Sequence, residues 1–300
     1  NTPLQAITKK MHSLSDYKKI IDAFPRMKIG VVADLVADIY IYGRPFRLSR
    51  EAPVIVVRYE GEETVPGGGA NTVNNIARLG AKVFPVGVVG KDFPKEHIEM
   101  LKAQGVDLAG LEIAEGKTFR WHGRFEGDMS RAQTISVDLN VFAQFRPKVP
   151  KTFAATPFVL LGNAAPETQR EVLDQLVGPK FVMLDTMNHW IGSERGAVVK
   201  LLPRVDALCI NFEEALQLAD TTSGAKAVRK ILEMGTKALI MKRGEHGATL
   251  ATRDGQFSVP SYPTDRVVDP TGAGDSFAGG TLGYLAQNGV EGVALRRAIV

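Results

Sequence analysis

Short, continuously apolar runs alternate with helix-period segments along most of this chain. The runs at 28–33, 82–89, 158–161, 181–184, 207–210 and 238–241 are the right length for strands buried on both faces. Between them, apolar residues recur at helical spacing over 72–79, 94–104, 166–176, 194–202, 213–218 and 225–234. This rhythm predicts an α/β fold with a mainly parallel sheet covered by helices on both faces, and ligands beyond the carboxyl ends of its strands. Residues 1–26 are polar and amphipathic, with Tyr17, Ile20, Ile21 and Phe24 at helical spacing, and predict a helical extension ahead of one domain over 27–300. Two segments break the rhythm. Residues 39–66 carry the Val54-Ile55-Val56-Val57 run, and in 111–137 Phe119, Trp121, Gly123 and Phe125 alternate with polar residues. Both read as strands without helices, together a small β-sheet lid projecting over a site.

Composition narrows the class without naming a chemistry. Hydrophobic residues make up 44% and charged residues 23% of 300, ordinary for a soluble globular protein with a sizeable core. The net charge is only +4, and no basic block interleaved with aromatics points to nucleic acid. No apolar run approaches membrane-spanning length, and no secretory pattern opens the sequence. The single cysteine, Cys209, allows no internal disulfide and sits in an apolar run as a buried structural thiol. A cytoplasmic location is the expectation.

The densest chemistry lies at Asp269-Pro270-Thr271-Gly272-Ala273-Gly274-Asp275, ahead of an apolar run from Phe277 to Leu285 that predicts a helix. Glycines let the backbone approach a ligand, and a helix start offers unpaired N–H groups to a phosphate. An aspartate there would repel phosphate unless it took a proton from an attacking hydroxyl. Asp275 is therefore the candidate general base, and Gly272, Ala273 and Gly274 the candidate anion hole; a plain N-cap is the alternative. A second loop, Pro66-Gly67-Gly68-Gly69-Ala70-Asn71, also precedes a helix and lets a substrate lie against backbone, with Asn71 able to donate and accept.

Asp34 and Asp38 follow the first strand, where a carboxylate can grip two hydroxyls or simply cap a turn. Asn211-Phe212-Glu213-Glu214 follows the 207–210 strand with the spacing of a capping box. Lys242 and Arg243 stand before the Gly244 turn, where either can meet phosphates or face solvent. Asn163, Asp185 and Asn188 follow other strands. In the lid, alternation puts Arg120, His122 and Arg124 on one face and Phe119, Trp121 and Phe125 on the other. That basic face would suit a substrate already carrying a phosphate, or be a solvated strand face.

Over roughly residues 27–300 these motifs resemble the ribokinase-like (PfkB) family of sugar and nucleoside kinases. The 269–280 run is similar to its C-terminal signature and the 66–77 run to its N-terminal one, in the same order. The resemblance implies a ribokinase-like three-layer α/β/α sandwich with a small lid, and ATP-dependent phosphorylation of a hydroxyl of a sugar or sugar phosphate. It implies substrate contacts from Asp34 or Asp38, from Gly67, Gly68, Gly69 and Asn71, and from Asn163 and Arg120. Asn188, Asn211, Glu214, Lys242, Gly244 and Thr271 would surround the nucleotide phosphates, Glu214 holding Mg²⁺ through water. Asp269 and neighbouring carbonyls would hold a monovalent cation, so K⁺ activation is a hypothesis.

Within the family, residues 34–43, Arg47-Leu48-Ser49-Arg50-Glu51-Ala52-Pro53-Val54 and the 67–71 loop are most similar to the heptose-phosphate kinase domain of ADP-heptose synthases. Two departures stand out: Ala33 replaces the usual glycine before the first acid, and the lid run 118–124 does not match. A nucleoside kinase and a catalytically silent ligand-binding regulator are the alternatives. The intact 272–275 run argues against the regulator. The missing Gly-x-Gly-x-x-Gly after the first strand argues against a dinucleotide enzyme. Family chains run beyond the helical pattern that opens near Gly292, so a longer native chain is expected, as is a homodimer through the lid. Neither a nucleic-acid nor a membrane partner is expected.

Overall fold

A computed structural model describes residues 24–126, 131–264, 270–290 and 292–300, together with Lys18 and Asp22. β1 (Lys28–Val32) leads into a long hairpin, β2 (Leu35–Leu48) and β3 (Ile55–Gly67), then α1 (Gly68–Arg78), β4 (Lys82–Gly90), α2 (Lys95–Ala103) and β5 (Gly110–Ala114). A second hairpin, β6 (Arg120–Glu126) and β7 (Arg131–Asp138), and the short α3 (Lys151–Ala154) follow. The chain then alternates through β8 (Phe158–Leu161), α4 (Pro166–Leu173), β9 (Phe181–Leu184), α5 (Asn188–Leu201), β10 (Ala207–Asn211), α6 (Phe212–Ala219) and α7 (Gly224–Glu233). It closes with β11 (Ala238–Lys242), β12 (Ala248–Thr252), β13 (Gly255–Val259), α8 (Ala273–Asn288) and α9 (Val293–Arg297).

Successive strand residues point to opposite faces, and here both faces are buried. Ile29 and Val31 of β1, Phe158 and Leu160 of β8, and Ala238 and Ile240 of β11 pack on one side with Val73, Ile76, Leu101, Leu282 and Leu285 of α1, α2 and α8. Val32, Val159, Leu161, Leu239 and Met241 pack on the other with Val172, Val198, Leu218 and Ile231 of α4 to α7. Each fully buried Leu or Ile contributes about 1.5–3 kcal/mol. The result is the three-layer sandwich.

The sheet order is β13-β12-β11-β10-β9-β8-β1-β4-β5, parallel except for the β12 and β13 edge. β1 sits between β4 and β8. The helices α1 and α2, which follow β1 and β4, cover one face, whereas those that follow β8 to β10 cover the other. Such a reversal opens a crevice at the carboxyl ends of the central strands.

Four expectations change. The 72–79 helix begins a turn earlier, at Gly68, because Gly69 N–H bonds Asp34 O at 2.8 Å and fixes the loop before the apolar period starts. The 194–202 helix begins at Asn188 and kinks at Glu194 (φ −134°, ψ 33°), just after Gly192-Ser193; Ser193 Oγ donates to His189 O at 2.8 Å, a back-bond that bends helices. Residues 110–114 are an edge strand of the main sheet, paired in parallel with β4, and not part of a lid. The remaining segments make two separate two-stranded sheets, β2–β3 and β6–β7, instead of one. The expected N-terminal helix, including Tyr17, Ile20 and Ile21, lies outside the described residues.

The end of β1 admits only small neighbours. A Cβ on Gly69 would overlap the Cβ of Ala33 and lie 2.8 Å from Asp34 O. Gly69→Ala should therefore destabilise the fold by about 1–3 kcal/mol, and Ala33→Gly in the same chain should recover part of that loss. Urea midpoints of the two single variants and the double variant check this.

Candidate active site

The crevice holds a cavity of about 1000 Å³ whose wall includes Asp34, Asp38, Asn163, Glu214, Gly272 and Asp275. They come from the ends of β1 and β8, the first residues of β2, and the caps or first turns of α6 and α8. Asp34 leaves β1, is buried, and accepts from Asn163 Nδ2 at 2.9 Å; its own N–H reaches Asn163 O at 3.0 Å. Burial, helped by the Asp275 charge, pushes its carboxyl from 3.8 up to about 8, with the Asn163 bond opposing the rise. The Asp38 carboxylate lies over the Gly67 backbone, where no Cβ would fit. Gly68 adopts φ +49°, a left-handed turn that favours glycine, and a Cβ on it would lie 3.3 Å from Asp34 Oδ1.

The two glycine loops meet. Gly272 caps α8 at φ +77°, and a Cβ there would overlap Asn71 Nδ2. Asn71 bonds the Asp275 carboxylate. Asn75 Nδ2 donates to both Asn71 Oδ1 (3.2 Å) and Ser276 Oγ (3.1 Å), tying α1 to α8. Burial, then the Asp185 charge, pushes Asp275 up to about 7, against Lys242 and the Asn71 bond. The Ala273 N–H bonds Pro270 O at 3.2 Å.

A charged cluster lies beside this helix start. Lys242 Nζ stands 3.4 Å from Asp185 Oδ2, each side chain 18% exposed, and a Cβ on Gly274 would lie 3.4 Å from the same nitrogen. Burial works against the Lys242 ammonium, but Asp185, Glu214 and Asp275 outweigh it and hold Lys242 above its ordinary range. Burial and the Asp185 charge push Glu214 up to about 7. Asn211 and Glu214 form a reciprocal capping box, 2.8 Å each way, so Asn211 Oδ1 is spent on the helix cap. Among the described residues no three His, Cys, Asp or Glu side chains group as a metal cage. Glu214 is the wall carboxylate beside the Lys242–Asp185 pair that would meet a hydrated divalent cation.

Other expected residues are placed less directly. Thr271 and Arg120 line the cavity, but Arg120 is paired with Asp92 at 3.8 Å. Arg120, Trp121 and His122 all line the cavity, so the expected division into a basic and an aromatic face does not decide which of them reach it; the register shift at His122/Gly123 falls beyond them, at Ile135 of β7. Asn188, Asn211, Lys242 and Gly244 are not on the wall, nor are Gly67, Gly69, Asn71, Ala273 and Gly274, which lie just behind it; Asn188 opens α5 with its carbonyl taking Gln217 Nε2 at 3.1 Å, and Gly244 sits in a short 3₁₀ turn. Asp269 and the Arg124 and Phe125 side chains lie outside the described residues. Sequence reasoning missed Asn75, although its place four residues after Asn71 on a helix was a usable signal. It also missed Trp190, which no spacing links to Asn163. Cys209 is buried, its thiol pushed up to about 12 by burial.

A model of the pfkB family of carbohydrate kinases matches residues 31–298. The chain belongs to that family. Its members are ATP-dependent phosphotransferases, and this pfkB-family kinase is similar to a cytidine kinase of Thermococcus kodakarensis, 32% identical over 229 residues, 74% of this chain and 81% of that protein. It is also similar to the bifunctional protein HldE of Rhodopseudomonas palustris, 28% identical over 302 residues, 94% of this chain but 60% of that protein. The chain thus spans only part of HldE. Its ribokinase-like fold matches that of an Arabidopsis thaliana ribokinase complexed with ribose and ATP (TM-score 0.68, 22% identity, 91% of this chain and 90% of that one). Among the described residues of this pfkB-family kinase, no helix is long and apolar enough to cross a membrane.

The raised carboxyls make a pH prediction. Asp34 has a folded value of about 8 against 3.8, so the folded state binds the extra proton. Stability from this group is full below pH 4 and is lost as pH rises through about 8. Asp34→Asn should therefore stabilise the protein most at pH 8, with the gain shrinking toward pH 4, in urea unfolding at a series of pH values.

Proposed function

We propose that this chain transfers the γ-phosphoryl group of ATP to a hydroxyl of a sugar or sugar phosphate. The observation that supports this most is Asp275, set in the first turn of α8 beside Asn71 and in the same cavity as Asp34. Asp34 and Asp38 hold the acceptor's hydroxyls. Asp275 takes the proton as the acceptor oxygen bonds to phosphorus and the bond to the β-phosphate oxygen breaks. The Gly272 and Gly274 N–H groups and Lys242 carry the charge on the moving group. Mg²⁺, bound through water to Glu214, would neutralise phosphate charge. Asp275, at about 7, is ionised enough near neutrality to accept a proton.

A nucleoside acceptor is the second reading, favoured by one feature besides the cytidine kinase relative. Trp121, 40% exposed, lies across Gly123 with Nε1 donating to Thr134 Oγ1 at 3.1 Å, and lines the cavity. A pinned indole is a stacking surface for a flat base. ATP consumption with Mg²⁺ against ribose, fructose, heptose 7-phosphate, cytidine, adenosine, inosine and guanosine separates the readings, with Trp121→Ala selectively impairing a nucleoside. Asp275→Asn should lower kcat about a thousandfold. The native kcat should rise as pH increases through about 7, where Asp275 loses its proton. An Asp275→Asn variant with native turnover would refute the mechanism.

The β2–β3 hairpin exposes Ile39, Ile41, Phe46, Leu48, Ile55 and Tyr59. A two-stranded ribbon is marginal alone, and such a surface invites covering. A homodimer through this hairpin is part of the proposal, as is a cytoplasmic location. Sedimentation should show a dimer that Ile41→Lys converts to monomer; a native monomer at micromolar concentration would rule the dimer out.

A further inference from the structure

The acceptor end of the cavity rests on a hydrogen-bond chain that begins in the core. Trp190, in the first turn of α5 and 3% exposed, donates its indole Nε1–H to Asn163 Oδ1 at 3.0 Å. Asn163 Nδ2 in turn donates to Asp34 Oδ2 at 2.9 Å. An amide has one end that accepts and one that donates, whereas an indole N–H only donates. The Trp190 contact therefore fixes which end of Asn163 is oxygen. With the amide reversed, two N–H groups would face each other and the amide oxygen would face a carboxylate. Trp190 does not line the cavity. It packs in the core beneath α5, with the His189 ring edge-on at 4.7 Å, so any influence on substrate passes through Asn163.

We propose that Trp190 is a positioning residue for acceptor binding. It holds the Asn163 amide with Nδ2 toward Asp34, which leaves Asp34 Oδ1, beside Gly68, to accept a hydrogen bond from a substrate hydroxyl. The inference rests on the reading of Asp34 as the acceptor-binding acid of a kinase. Asp34 needs such support. Burial and the Asp275 carboxylate both favour its protonated form, and the Asn163 bond is the largest contribution opposing them. With Asn163 turned, Asp34 Oδ2 would lose its donor and face an amide oxygen, and the carboxyl would hold its proton to a still higher pH. Asp275 on α8 is the charged group that acts on Asp34 across the cavity, and Asp38 on β2 shares the wall.

The test is a double-variant cycle of Trp190→Phe and Asn163→Ala, read in two ways. The first needs no substrate: the carboxyl carbons of ¹³C-aspartate-labelled protein are titrated, with Asp34 assigned through Asp34→Asn. Trp190→Phe should raise the Asp34 midpoint by about one pH unit, Asn163→Ala by at least as much, and the double variant no more than Asn163→Ala alone. Additive shifts, or no shift in Trp190→Phe, would overturn the proposal.

The second reading is kinetic, with whichever of ribose, heptose 7-phosphate and cytidine the native protein turns over. Trp190→Phe should raise the acceptor KM about tenfold while leaving kcat and the ATP KM within about twofold. A parallel rise in both KM values with a lower melting point would mark a merely structural role and overturn the proposal. Turnover of none of the acceptors would count against the kinase reading, while the titration still decides Trp190. If the Phe variant does not fold, hydrogen exchange in the native protein decides: the Trp190 indole N–H should be strongly protected, and rapid exchange would overturn the assignment.

Discussion

The architecture of the site depends on how closely three backbones meet at the end of β1. Asp34 accepts from Gly69 N–H at 2.8 Å and donates to Asn163 O at 3.0 Å, and Gly162 N–H bonds Val32 O at 2.6 Å. The strand end is thus stitched to the loop before α1 on one side and to the loop after β8 on the other. Such spacing leaves no room for side chains between the segments. Ala33 keeps its methyl only because Gly69 and Gly162 face it; a Cβ on Gly162 would lie 2.9 Å from that methyl. The glycines of the first loop are needed here for packing before they serve any ligand.

The second consequence is that α8 has one place to go. Its start must sit against Asn71, because the left-handed Gly272 leaves space for the Asn71 amide and nothing larger. Asn75 then reaches Ser276, a contact spanning 201 positions of sequence. With α1 fixed by Asp34 and α8 fixed by α1, Asp275 arrives beside Asp34 and Asp38. Lys242, from the far half of the sheet, closes the other side. Phosphoryl transfer asks a protein mainly for positioning and for charge placed in advance. The proposed site would supply both through rigid elements.

The layer order and the central strands were legible because alternation and apolar runs are local signals. The 158–161 and 181–184 strands begin and end where the runs do. What could not be read depended on distant partners or on weak periodicity. The first turn of α1 is made of glycines, which carry no apolar period, and it is helical because Asp34 O captures Gly69. The kink at Glu194 follows from a Gly-Ser pair that hides six helical residues ahead of it. Residues 110–114 look like the lid strands beside them, and only pairing with β4 assigns them to the main sheet. Among the site residues, Asp34 and Glu214 follow strand ends and Asp275 follows a glycine run before a helix, so all three could be named. Asn188, Asn211, Lys242 and Gly244 could be named by the same logic and are not at the cavity wall. Whether a residue at a strand end faces the crevice is set by one turn of backbone, which composition does not encode.

Two asparagines do similar work in this cavity. Asn163 is oriented by Trp190 and faces Asp34; Asn71 is oriented by Asn75 and bonds Asp275. In both cases burial drives a carboxyl toward its neutral form and an amide donor pulls it back. Neither influence alone would suit the chemistry. Full burial without the donor would hold each proton to a still higher pH. Full exposure would leave an ordinary carboxylate, too weak a base near pH 7 and too heavily hydrated to orient a substrate. The balance places Asp275 at about 7 and Asp34 at about 8. It requires that each amide present its nitrogen and not its oxygen, which the carboxylate cannot enforce by itself. The outer donors, Trp190 and Asn75, supply that polarity from inside the fold. The proton affinity of the cavity is therefore set partly by residues that never touch what binds there.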